Sequence, residues 1–205
     1  MNAPQLSPGT SFTRNHARAG LIAGAGAAIM LISLASALLP LADGFSGARV
    51  IGTMMVAAGL IEMIAGALRL SNRFAAILPG AITLAAGLLF MDGPFNAFVP
   101  TVRLVSIWLA ARGAVLALTS FQARGSVRLW TLAAAATDLT LSALLFIGLS
   151  ATTITITFFG PTHEIVSSFA WVLALSFVAT GSLLIEVASS ERTTEGLAST
   201  HLQTG

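Results

Sequence analysis

Three residues in otherwise apolar sequence have side chains that could do chemistry: Glu62, Arg112 and Asp138. Arg112 stands within Leu104–Leu118, LVSIWLAARGAVLAL, whose other residues suit a lipid environment. A charge at the centre of a membrane helix costs about 2.5–3.5 kcal/mol on insertion scales, so such a residue turns inward and finds an opposite charge. Glu62 and Asp138, at similar depth in other apolar runs, are the candidate partners, and Thr137 and Thr140 stand beside Asp138 as hydrogen-bond donors. The three charges read as a buried cluster. It serves either as an ion-pair network that fixes helix pairing or as a proton or ion relay, a usual role for intramembrane acids. Two carboxylates against one guanidinium leave one carboxylate to be protonated or shared in a low-dielectric site.

The elements that position these residues are membrane spans. The chain is 56% hydrophobic and 9% charged, against about 25% charged for a soluble domain. Every basic residue is arginine, and lysine, tyrosine and cysteine are absent. The sequence pI of about 11.0 is therefore no sign of nucleic-acid binding, and there is no thiolate, disulfide or Cys-ligated metal. Six runs are long enough to cross a bilayer, which takes about 20 residues: residues 19–41, 50–70, 74–91, 99–121, 129–149 and 165–188. The fold expected is all-α, six transmembrane helices forming a domain over 18–190 between flexible tails at 1–17 and 191–205. A signal peptide competes for the first run, because Arg14 and Arg18 precede it and Ala35-Ser36-Ala37 resembles a cleavage site; the run is longer than a usual signal core. Arg69/Arg73 and Arg124/Arg128 mark two short loops, which with both tails fall on the cytoplasmic side by the positive-inside rule.

A repeat underlies the spans. Arg18, Arg73 and Arg128 precede the odd spans at intervals of 55 residues, and Arg69, Arg124 and Arg192 close the even ones. Gly59 and Gly113 are 54 apart, Gly181 takes the same place in span six, and the loop prolines Pro40 and Pro94 match. The unit is a helical hairpin used three times, over about 18–70, 73–124 and 128–192. In this frame Glu62 and Arg112 lie four positions apart, on one face of equivalent helices. The third unit has Leu149-Ser150 where a proline would stand, and an added TTITITFFGPTHE whose Thr/Ile alternation reads as extended chain.

This tripled pattern of glycine-rich span, loop proline, apolar-Gly-apolar span and arginine resembles the HdeD-like family of small bacterial inner-membrane proteins, over about Arg18 to Arg192. Ala111-Arg112-Gly113 is similar to a recurring feature of that family. The resemblance implies a multi-pass protein of the bacterial inner membrane and a context of acid or envelope stress resistance, with no mechanism attached.

Small residues, among them Gly24, Gly59, Gly87, Gly113 and Gly181, offer close helix packing, within the bundle or in a homo-oligomer or with other membrane proteins. Pro79-Gly80 should kink the third span. Trp130 and Trp171 fit opposite interfacial belts, and Trp108, one turn before Arg112, either covers its guanidinium or faces lipid. His163-Glu164 in a loop and His16 and His201 in the tails assemble no metal site. No nucleophilic triad, paired-carboxylate cleft or phosphate loop is visible. The sequence therefore points to a non-enzymatic protein without cofactor, known small-molecule substrate or nucleic-acid partner, in contact with the lipid bilayer. A small proton-linked transporter or channel built on Glu62, Arg112 and Asp138 is the alternative; a crevice reaching Glu62 or Asp138 would favour it.

Overall fold

In hydrocarbon every backbone N–H and C=O must be satisfied within the protein, so apolar runs of this length become helices. The computed structural model describes the backbone over residues 8–38, 47–70, 73–91, 98–159 and 163–203, with side chains over 16–35, 51–70, 73–91, 102–148 and 171–193. It is all-helical over these residues: α1 Pro8–Leu38, α2 Gly47–Leu68, α3 Arg73–Met91, α4 Phe98–Ser120, α5 Gly125–Phe159 and α6 His163–Gln203. Six segments are long and apolar enough to cross a membrane: His16–Ala35, Ile51–Leu68, Arg73–Met91, Val102–Ser120, Gly125–Gly148 and Trp171–Thr193. The chain is thus a multi-pass membrane protein in contact with the bilayer.

Helix also extends beyond the spans. α1 starts at Pro8, inside the expected tail, where the missing N–H of proline is one the first turn leaves unpaired anyway. α6 likewise continues through the polar end to Gln203. The Thr/Ile segment, read as extended, is helical: α5 runs unbroken to Phe159. β-branched residues disfavour helix by only tenths of a kcal/mol each, a preference that surroundings readily override. α3 likewise continues through Pro79-Gly80.

The helices form a ring. Each packs on its chain neighbours, and α6 closes back onto α1. The most extensive contacts are α2 with α3, α4 with α5, and α6 with α1. Close packing therefore falls between successive repeat units rather than inside each hairpin. Glycine explains it. A Cβ at Gly59 would lie 2.5 Å from the backbone nitrogen of Leu84 and 2.9 Å from the carbonyl of Gly80. At Gly113 it would meet Leu139 at 2.9 Å and the Ala135 carbonyl at 3.2 Å, and at Gly181 the Gly26 carbonyl at 2.7 Å. Gly87 makes a similar approach to Val56, 2.7 Å from its nitrogen. Gly59, Gly113 and Gly181 hold one place in the repeat, and their opposite numbers Gly26, Gly80 and Ala135 hold another, at intervals of 54 and 55 residues. Gly24 takes no part: it is exposed, with nothing within 4 Å of a Cβ built there. Gly26 makes the contact instead, because two residues turn a helix about 200° and carry Gly24 to the far side.

α1 is one wall of this ring. Its Ile22 and Ile29 are fully buried, and the Ser33 hydroxyl donates to the Ala174 carbonyl at 2.7 Å. Cleavage at Ala35-Ser36-Ala37 would remove that wall. At the arginine-bearing end, Arg18 of α1 pairs with Glu191 of α6 at 3.3 Å, and the Leu70 N–H donates to the same carboxylate at 3.5 Å. The start of α1 and the ends of α2 and α6 thus lie on one face. Trp130 and Trp171, near the first turns of the α5 and α6 spans, are both exposed, as residues at a lipid interface are.

Candidate functional site

Arg112 fills the middle of the ring and is 0% exposed. Its guanidinium is held by four side chains from three other helices. Nη1 donates to Asp138 Oδ2 at 2.6 Å and to Ser176 Oγ at 3.2 Å. Nη2 donates to Glu62 Oε1 at 2.9 Å and to Thr180 Oγ1 at 2.5 Å. Both acids are partners, one on each terminal nitrogen. The two hydroxyls complete the set without conflict: Ser176 donates to Asp138 Oδ1 at 2.5 Å, and Thr180 donates to the Ser176 carbonyl at 2.9 Å. Trp108 is buried, with Arg112 Cζ 6.0 Å from its ring centroid, so it covers the guanidinium rather than facing lipid. Its indole N–H donates to Thr83 Oγ1 at 3.2 Å, and its ring packs on Phe177 with centroids 5.8 Å apart. Arg112 Nε is buried and has no hydrogen-bond partner among the described residues.

The local reasons are helical. Trp108 and Arg112 are four apart on α4, as are Ser176 and Thr180 on α6, so each pair shares one face. Thr137 and Thr140 do not reach Asp138: Thr137 donates to the Ala133 carbonyl at 2.9 Å, and Thr140 is exposed. Neighbours one and two apart on a helix point in different directions. Sequence reasoning missed Ser176 and Thr180, although a signal existed. Thr180 stands immediately before Gly181 as Arg112 stands immediately before Gly113, so the repeat sends both to the ring's centre.

The two acids differ in surroundings. Asp138 is 0% exposed and has hydrogen bonds on both oxygens. Glu62 keeps 7% of its side chain exposed, and its hydrogen bond from Arg112 leaves the second oxygen without a donor among the described residues. Glu62 lines a crevice of about 820 Å³ that includes Arg69, Arg124 and Glu191 and therefore lies toward the arginine-bearing end. Arg69 follows Glu62 by seven residues, so the carboxylate sits about 10 Å deeper than the end of α2. Burial pulls the Arg69 guanidinium below its usual range, opposed by the carboxylates of Glu62 and Glu191.

Beyond the charges, away from the crevice, the interior is apolar and closely held. Val105, Trp108, Leu173, Phe177, Ile29 and Met55 are all buried. Ser106 and Ser142 exchange hydrogen bonds to each other's carbonyls at 3.1 and 2.9 Å, clasping α4 to α5. From the crevice inward, the order is open crevice, charge layer, apolar plug.

Among the described residues no group of three His, Cys, Asp or Glu is placed to hold a metal ion. The His163-Glu164 side chains and those of His201 and Pro94 fall outside the described ones. No family model, no curated protein and no solved structure matches the chain.

Proposed function

We propose that this chain is a non-enzymatic inner-membrane protein of the HdeD-like type, acting as a small proton-linked transporter or channel in acid or envelope stress. Glu62 takes up and releases the proton. The observation that carries this reading is the crevice that ends on Glu62 while Asp138 and Arg112 stay sealed. One carboxylate of the cluster is reachable from one side; the other is locked into the fold. By the positive-inside rule, the arginines around the crevice put its opening on the cytoplasmic side, with both chain termini. Passage to the opposite side would require the apolar layer around Trp108 and Phe177 to part.

The test is proton flux into liposomes loaded with a pH-sensitive dye. Vesicles carrying the wild-type protein should dissipate an imposed pH gradient faster than empty ones, and Glu62→Gln should return the rate to that of empty vesicles. Equal rates for wild type and empty vesicles, or an unchanged rate in Glu62→Gln, would remove the proposal. A second reading, a purely structural charge clamp, draws on the full burial and complete bonding of Asp138. It expects loss of stability on charge removal and no flux from the wild type.

A further inference from the structure

Arg69 is the feature that neither the fold nor the cluster uses. It lines the crevice, and its Nε is buried without a hydrogen-bond partner among the described residues. The nearby carboxylates are engaged elsewhere: Glu62 by Arg112 at 2.9 Å, and Glu191 by Arg18 at 3.3 Å. Arg124, in the turn between α4 and α5, lines the same crevice and is exposed. A guanidinium is a rigid planar fork that matches a carboxylate bidentately, so one whose Nε lacks a partner among the described residues, in a half-closed space, is a place for an anion.

The charges that face this space can be counted from every wall. α2 and its end bring Glu62 and Arg69, the turn after α4 Arg124, and α6 Glu186 and Glu191, the last paired with Arg18 of α1; behind Glu62 the sealed Arg112 and Asp138 offset each other. The α3 wall is Ala75, Ala76 and Pro79, with no charge. With both acids of the cluster ionised, these charges cancel. With a proton on Glu62 they leave a single positive charge. That balance suits one monoanion, taken up together with one proton. Pro79, Leu116, Leu183 and Val187 give apolar walls for a short hydrocarbon body, and about 820 Å³ lies within the range of small-molecule sites.

Resting on the proton-linked reading, we infer that the crevice is a binding site for a small monocarboxylate, held by Arg69 and bound together with a proton on Glu62. The coupling is reciprocal: the proton removes a negative charge about two helical turns from Arg69, and the bound anion favours the proton by the same factor.

The experiment is calorimetric titration of the purified full-length protein in neutral detergent with benzoate, with benzylamine as the cation of matching shape. Benzoate should bind saturably, more tightly at about pH 5 than at about pH 8. Arg69→Gln should weaken it on the order of tenfold or more, the weight of a hydrogen bond to a charged group. Arg69→Lys, which keeps the charge and loses the fork, should fall between, and identical size-exclusion elution of the variants shows that folding is retained. Glu62→Gln, held neutral, should bind benzoate at least as tightly as wild type and without the change in affinity from pH 5 to 8. Binding of benzylamine in place of benzoate, or benzoate binding that is unsaturable or equal in Arg69→Gln, overturns the inference. Failure here with Glu62-dependent proton flux intact removes only the carboxylate site. Benzoate bound at Arg69 with no Glu62-dependent flux removes the proton-linked reading instead.

Discussion

Because Arg112 is shared by two acids, removing one should be tolerated and removing both should not. Glu62→Gln or Asp138→Asn leaves the guanidinium one carboxylate, at 2.6 or 2.9 Å. Each loses a hydrogen bond between charged groups, worth about 1.5–3 kcal/mol. The Glu62 change belongs at the low end, since that side chain already meets the crevice. The pair Glu62→Gln/Asp138→Asn strands a fully buried guanidinium that cannot discharge, and an uncompensated buried charge adds a penalty of about 3–5 kcal/mol. The double variant should therefore be less stable than the sum of the singles by more than about 1 kcal/mol. Adding Arg112→Met should then restore much of the loss, because a neutral side chain of similar volume replaces a buried ion with little cost. The assay is denaturant unfolding in detergent micelles followed by circular dichroism, on the singles, the acid double and the triple. Singles that add within about 0.5 kcal/mol, with no recovery in the triple, would show that the acids do not jointly hold Arg112.

The glycines should separate sharply by position. Gly59→Val and Gly181→Val, driven against the Leu84 and Gly26 backbones, should prevent accumulation of folded protein, whereas Gly24→Val should leave thermal stability within about 0.5 kcal/mol of wild type. Membrane sidedness is open to labelling: cysteines placed at Asn72 and Ser126 should react with an impermeant reagent from the same side as one placed at Arg192, since Arg18, Leu70 and Glu191 meet at one end. Reaction of 72 and 126 from opposite sides would break the six-span arrangement.

How much of this was legible in the chain depends on whether the controlling energy is local. The cost of putting polar backbone or charge into hydrocarbon adds up residue by residue, so six spans, the inward turn of Arg112 and its need for acids follow from composition and length alone. The repeat is equally local, being a spacing of arginines and glycines. Partner choice is not. That both Glu62 and Asp138 reach Arg112, that Ser176 and Thr180 complete its shell and that Thr137 turns away depend on each helix's rotation and depth. Those are set where backbones can approach, at Gly59 on Leu84, Gly113 on Ala135 and Gly181 on Gly26. The same packing decided that Gly26 rather than Gly24 makes contact. Strand-like Thr/Ile alternation failed as a guide because weak β propensity yields to its surroundings. The crevice was beyond the sequence altogether. An open space is what five helices leave unfilled, and no residue's own preferences specify it.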